Sequence, residues 1–247
     1  MARFAPAAVC AAVCAVALCG CFTFRSTIAV RPDGSGTLTE TLALSGPARE
    51  MMRGSDAPLS TAEALLSRAA RLGDGVTLVH TDTLGGVRTT VYAFRDVAGL
   101  RYRLPDNATE PEQLAAVAGL PPLYTFAFDA ATAGAPAALH ITTPDGPPDA
   151  FAPPDTAAVA ESLVMTRVLM ADAHATVEVV ALGEPAEGTA ATTTLIDLPF
   201  GPLLDLVGRH PELASSQSVP LDAVRRRMTP ADRLVIQPPG TTTVRFR

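Results

Sequence analysis

Residues 22–45 read FTFRSTIAVRPDGSGTLTETLALS, and this stretch decides the fold class. From Phe22 onward Phe22, Phe24, Ile28 and Val30 alternate with Thr23, Arg25, Thr27 and Arg31. A period of two is that of a strand with one dry and one wet face. Pro32-Asp33-Gly34-Ser35-Gly36 then supplies turn chemistry: a fixed φ, a short acceptor side chain, and glycines tolerant of positive φ. Alternation resumes from Thr37 to Ser45, with Leu38, Leu42 and Leu44 on one side. Two alternating runs around such a cluster predict a β-hairpin.

The same patterns extend along the chain. Pro47 to Arg53, closed by Gly54, predicts a short helix. Ser60-Thr61-Ala62-Glu63 has capping-box spacing ahead of Leu65, Leu66, Ala69 and Leu72, and Gly73 stops that helix. Val76 to Asp82 and Val87 to Phe94 flank Leu84-Gly85-Gly86 as a second hairpin, with a further strand at Leu100 to Leu104. Thr109 and Glu112 cap a helix that ends at Gly119. Tyr124, Phe126 and Phe128 line one side of a strand, and Leu139 and Ile141 one side of the next. Asp155 caps a helix reaching about Ala171, with Val159, Leu163, Val164 and Met170 towards a core. His174 to Leu182, Thr192 to Leu198 and Thr241 to Arg247 read as strands, and Gly201 to Gly208 and Pro220 to Met228 as short helices. Hairpins interleaved with helices, without regular βαβ repeats, predict an α+β fold. Its expected form is a mainly antiparallel sheet built from hairpins, with helices packed on one face.

The chain has 247 residues, of which 48% are hydrophobic and 18% charged, enough apolar material for a core and too much for wholesale disorder. Acids outnumber bases by 25 to 19, which argues against a general nucleic-acid binder. In residues 144–154 five of eleven positions are Pro, marking the best linker. Residues 21–247 are therefore expected to form one domain, with two lobes, 22–143 and 155–247, joined by 144–154 as the alternative.

The segment ahead of the first strand carries an address. Arg3 precedes an uncharged apolar run from Ala7 to Leu18, too short for a bilayer span of about 20 residues but of signal-peptide length. Leu18-Cys19-Gly20-Cys21 follows and resembles the lipobox of bacterial lipoproteins. The resemblance implies cleavage of residues 1–20 as a signal peptide and a diacylglyceryl thioether on Cys21, with palmitate-class acyl chains as the membrane anchor. Cys19 departs from the Ala or Ser usual at the middle position. All four cysteines lie in this segment, so after cleavage Cys21 alone remains and disulfides, Cys-based zinc sites and a free catalytic thiol are excluded. Each buried methylene is worth about 0.8 kcal/mol, so two or three acyl chains hold firmly. Cleavage removes Arg3 and no acid, leaving the body more acidic, so lipid rather than electrostatics would hold it on an anionic leaflet. The residue after Cys21 is Phe22, not Asp; in a cell with two membranes the lipoprotein sorting rule then implies the outer one.

A wider resemblance joins Cys21, the Asp33-Gly34-Ser35-Gly36 turn and the stretch from Leu169 to Leu182. It is to the LppM-type group of bacterial envelope lipoproteins. That group is similar to lipid- or surface-binding domains more than to enzymes, and it brings no catalytic residues to this chain.

Catalytic groups must converge, and little here predicts convergence. His80, His140, His174 and His210 are scattered and form no HExxH-type pair, so no metal site is expected. There is no Gly-x-Ser-x-Gly elbow and no phosphate loop, so no cofactor is expected either. Asp145, Asp149 and Asp155 lack calcium-loop spacing. Arg225, Arg226 and Arg227 are the one basic run; they either complement a helix C-terminus or contact anionic headgroups. Tyr124, Phe126 and Phe128 are either sheet core or the lining of an apolar pocket for an acyl chain. The expected role is a non-catalytic, lipid-anchored binding module of the cell envelope, taking a lipid, glycan or protein partner at the membrane surface. The alternatives are an envelope-polymer hydrolase or transferase and a structural subunit of an envelope assembly.

Overall fold

The alternation of residues 22–44 becomes the centre of a large sheet. In a computed structural model, strands β1 (Phe22–Val30) and β2 (Gly36–Leu44) pair antiparallel from Phe22↔Leu44 to Val30↔Gly36. The structure describes residues 22–44, 61–104, 123–144, 163–164, 166–167, 170, 172–213 and 221–247. The leader, Cys21, the helices expected over 47–53 and 109–119, Asp145, Asp149, Asp155 and most of the Pro-rich stretch lie outside the described residues.

The turn that joins β1 to β2 is built by its own side chains. Ser35 donates to Asp33 Oδ1 through its backbone N–H at 3.0 Å and its hydroxyl at 2.7 Å. These bonds hold the Asp33 carboxyl below its ordinary value. Gly34 takes φ +83°, and a Cβ there would stand 2.8 Å from Phe128 Cδ1. The second hairpin, β3 (Thr77–Leu84) and β4 (Val87–Phe94), turns on Gly85 and Gly86 at φ +61° and +83°. Two successive positive φ values match the right-handed twist of the strands they join.

Six further described strands complete two sheets with the short β5 (Arg101–Tyr102): β6 (Tyr124–Asp129), β7 (Ala137–Thr143), β8 (His174–Ala181), β9 (Thr192–Pro199), β10 (Val235–Ile236) and β11 (Gly240–Phe246). The large sheet runs β10-β9-β8-β1-β2-β4-β3 and the small one β11-β7-β6-β5. Pairing is antiparallel except between β1 and β8, which run parallel from Thr23↔His174 to Val30↔Ala181. Alternation tells which side of a strand is dry; it does not name the strand's neighbour. β8 sits beside β1, and β11 beside β7, so the stretches 22–143 and 155–247 interleave in both sheets.

The dry face of the large sheet carries Ile28, Val30, Leu38, Tyr92, Phe94, Val177 and Ile196. Much of what covers it is the small sheet, through Tyr102, Tyr124, Phe126, Leu139, Ile141, Val244 and Phe246 of the same core cluster. Fully burying each such side chain is worth about 1.5–3 kcal/mol. This second sheet is the main departure from a single sheet covered by helices. The mixed, mostly antiparallel architecture is as expected.

Helix α1 (Ala62–Leu72) adds Leu65, Ala69 and Leu72 to the buried set. Its N-cap is Thr61, whose Oγ1 accepts from the Ala64 N–H at 3.1 Å. Helix α2 (Phe200–Arg209) buries Leu203, Leu204, Leu206 and Val207, and α3 (Leu221–Arg227) buries Ala223 and Val224. In the helix expected to reach Ala171, Met170 is buried and Leu163 packs against it, but Val164 points outward at 66% exposed.

Candidate functional site

Between the sheets lies a row of polar side chains that the dry face would not be expected to hold. Ser26 pairs across the sheet with Glu40, and Glu40 with Thr90; all three are buried. Thr90 Oγ1 lies 3.1 Å from Thr81 Oγ1 on the next strand. Arg68 descends onto this row from α1. Its Nη2 donates to Glu40 Oε1 at 2.6 Å and to the Arg103 carbonyl at 2.6 Å. Helix spacing delivers it, because Arg68 lies on the same stripe as Leu65, Ala69 and Leu72.

Two phenols complete the cluster. Tyr92 and Tyr102 are fully buried; the Tyr92 hydroxyl and Arg68 Nε find no hydrogen-bond partner among the described residues, and the Tyr102 hydroxyl has Ser26 Oγ beside it at poor hydrogen-bond geometry. Burial, and then the Glu40 carboxylate, pushes the Tyr92 phenol up to about 12. The same two causes raise Tyr102 further. Burial works against the Arg68 charge, but Glu40 more than offsets it and the guanidinium is held above its ordinary value. The Glu40–Arg68 pair, with the Arg103 carbonyl, ties α1 to β2 and to the residue that follows β5.

The outer face of the large sheet is different in kind. Register places Thr23, Arg25 and Thr27 of β1 beside Ala43, Thr41 and Thr39 of β2, and Thr41 beside Thr89 of β4. On the other side, Arg25 lies beside Thr176 and Thr27 beside Glu178. Arg25 Nη2 bonds Glu178 Oε2 at 2.7 Å across β1 and β8. His174 Nε2 bonds Asp197 Oδ1, while Thr176 Oγ1 stands 3.5 Å from that same nitrogen. A nucleophile–base–acid relay needs the two ring nitrogens to serve different partners. Among the described residues both contacts of His174 fall on the one nitrogen, and the face is a hydroxyl-rich, ion-paired surface.

The small sheet does place a carboxylate and a hydroxyl on opposite ring nitrogens. His140 Nε2 lies 3.0 Å from Asp129 Oδ2, and Nδ1 lies 3.0 Å from Thr243 Oγ1. Asp129 is 76% exposed, so water competes for these bonds on an open sheet face. The arrangement ties β6, β7 and β11 together. His80 is exposed on β3, and His210 Nδ1 lies 3.3 Å from Glu212 Oε1. Each of the four histidines sits apart from the others, and no group of three metal-ligating side chains occurs among the described residues.

The residues singled out from the sequence fall as follows. Tyr124 and Phe126 are buried in the intersheet core, the Tyr124 hydroxyl donating to the Leu195 carbonyl at 3.2 Å, and Phe128 packs tilted against Phe246. Arg225, Arg226 and Arg227 end α3; Arg225 pairs with Asp222 at 2.7 Å and Arg227 with Glu212 at 3.2 Å, while Arg226 is exposed. The polar row was not singled out, although Ser26 and Glu40 stand in phase with Ile28 and Leu38. A polar residue breaking the apolar register was the available signal. Among the described residues no helix is long and apolar enough to cross a membrane. No family model, curated protein or solved structure matches the chain.

Proposed function

We propose that the chain is a lipid-anchored protein of the cell envelope, a non-catalytic binding module held by an acylated Cys21. The observation that supports this reading is the lipobox-like Leu18-Cys19-Gly20-Cys21 behind an uncharged apolar run. Phe22, the residue after Cys21, is the first residue of β1, an interior strand of the large sheet. An anchor there would hold the folded body against the leaflet rather than on a tether. In a cell with two membranes the address is the outer one, and the LppM-type likeness points to the same kind of surface role.

In this reading the helices share the dry face of the large sheet with the small sheet. That leaves the opposite, threonine-rich face for a partner. Ranks of hydroxyls at strand spacing, edged by the Arg25–Glu178 and His174–Asp197 pairs, suit a glycan or a polar protein surface rather than an acyl chain. Most acids that the structure brings into contact are already paired with Arg or His, which favours binding over acid–base chemistry.

The test compares the full-length chain with its Cys21→Ala variant in a bacterial host. The parent should mature to a chain starting at Cys21, heavier by a diacylglyceryl group and recovered in the detergent phase. The variant should keep residues 1–20 and lose the lipid mass. Identical mass and partitioning for the two would overturn the reading.

A further inference from the structure

Hairpin tips in water are ordinarily polar, but the β3–β4 tip reads Leu84-Gly85-Gly86-Val87. Leu84 is 78% exposed and Val87 38%. A lone exposed leucine needs no explanation; the position of this one does. Leu84 pairs with Val87, Val87 with Ala43, and Ala43 with Thr23, so the tip lies in the end row of the sheet where β1 begins. The Leu44 N–H donates to the Gly86 carbonyl at 3.1 Å and fixes the tip to the end of β2. Three strand spacings of about 4.8 Å separate β1 from β3, so the tip stands roughly 14 Å from Phe22 along that edge.

Residues 1–21 therefore leave the body at the same end that presents the apolar tip. Phe22 itself packs edge-on against Phe200 at 5.5 Å, bringing the start of α2 to this end as well. On the sheet face that Leu84 and Val87 share, Arg25 and Asp82 stand about 7 Å from the end row. Arg88 follows Val87 directly but lies on the opposite face, and His174 stands in the end row beyond β1, beside Thr23. On the β2–β4–β3 side of that face, apolar side chains at the rim with Asp82 and Arg25 behind them match the depth profile of a leaflet, acyl boundary first and headgroups next.

We propose that Leu84 and Val87 form a second membrane foot, entering the interfacial layer of the leaflet that holds the acyl chains. The inference rests on the lipid-anchor reading of Cys21. With no spacer after that residue, the end row cannot stand away from the leaflet, and the two side chains leave water on contact. Two points of attachment fix the orientation: the strands stand upright, the Pro32–Gly36 turn points away from the membrane, and of the threonine face, which Leu84 and Val87 share by register, only the end row meets the leaflet. The excess of acids over bases, 25 to 19 in the whole chain and one greater once Arg3 is removed, means that hydrophobic burial, not attraction to anionic lipid, drives the contact.

The chain has no Trp, so a single one is a clean probe. Leu84→Trp and, as a control further up the same strand, Val79→Trp are prepared in the full-length, acylated protein and reconstituted into phosphatidylcholine–phosphatidylglycerol vesicles. Val79 is 56% exposed, so both probes report solvent in the absence of lipid. Expected is a blue-shifted Leu84→Trp emission that brominated lipids quench, little changed by added salt, with the Val79→Trp emission unquenched. If the acylated protein floats with the vesicles and neither emission is quenched, the foot is wrong while the anchor stands. If mass spectrometry finds no acyl group and nothing floats, both fall.

Discussion

Arg68 Nη2 stands 2.6 Å from Glu40 Oε1, with the two side chains 7% and 10% exposed. Each charge has left water and depends on the other. Removing one partner strands its mate, which costs about 3–5 kcal/mol, whereas replacing both by apolar groups of similar volume is often neutral. Glu40→Gln and Arg68→Met should therefore each lower the urea midpoint sharply, and the Glu40→Leu/Arg68→Met double variant should regain most of the loss. Equal losses in all three would show that the pair is not coupled.

The three tyrosines give a second, independent reading of the buried row. Tyr92 holds its proton up to about 12, against an ordinary 10.0, chiefly through burial; Tyr102 and Tyr124 are raised by the same cause. The unfolded phenol ionises at 10.0 and the folded one does not, so stability is intact below 10 and falls between there and 12. The slope is about 1.4 kcal/mol per pH unit for each tyrosine. Phenolate absorbance should appear only together with loss of tertiary structure. A phenolate signal near 10 in a protein that is still folded would contradict the burial of these rings.

Much of this architecture was legible because strand periodicity is a local property. Ile28, Leu38, Val177 and Phe246 each sit on the side their alternation demands. Partner choice was not legible: nothing in His174–Ala181 says that it runs parallel beside β1, since pairing is decided by contacts between segments far apart in sequence. The same reason hid the small sheet, whose inward residues read equally well as packing for helices. Ser26, Glu40 and Arg68 were visible as polar breaks in apolar stripes; that they meet was a matter of tertiary structure.

Gly34 and Gly36 flank one turn residue yet should respond differently to Ala. At Gly34 the new methyl meets the Phe128 ring at 2.8 Å and the residue must hold φ +83°, which costs about 1–2 kcal/mol. At Gly36 it meets the Ala29 carbonyl oxygen at 2.0 Å, inside the β1–β2 ladder, where the backbone cannot retreat. Gly36→Ala should lower the thermal midpoint further than Gly34→Ala. The reverse order would place the hairpin register elsewhere.

On the acid side, Asp232 and Glu212 are both held below their ordinary values of 3.8 and 4.5. For Asp232 the causes are the Thr229 backbone N–H and hydroxyl, then Arg209; for Glu212 they are its own backbone N–H, then Arg227 and His210. A carboxyl lowered on folding stabilises fully above its unfolded value, and loses that contribution as pH falls through the folded one. Asp232→Asn should therefore flatten the decline of thermal midpoint below pH 3.8. A variant whose acid limb superimposes on the parent's would show that the bonds from Thr229 to Asp232 contribute nothing there.

Tyr124 and Tyr102 offer the sharpest contrast, because their rings lie 6.3 Å apart and both are buried, yet their hydroxyls differ. The Tyr124 hydroxyl donates to the Leu195 carbonyl, which also accepts the Gln237 N–H at 2.9 Å. Tyr124→Phe removes one bond but leaves that carbonyl a donor, so the loss belongs at the low end of the usual net value, about 0.5–1 kcal/mol. The Tyr102 hydroxyl has only Ser26 Oγ beside it, at poor hydrogen-bond geometry, so little offsets the desolvation cost it brings into the core. Tyr102→Phe should leave the unfolding midpoint unchanged or raise it. Should Tyr102→Phe prove the more damaging of the two, the phenol is bonded in solution, and the row from Ser26 to Tyr102 is a connected network rather than an ion pair with idle neighbours.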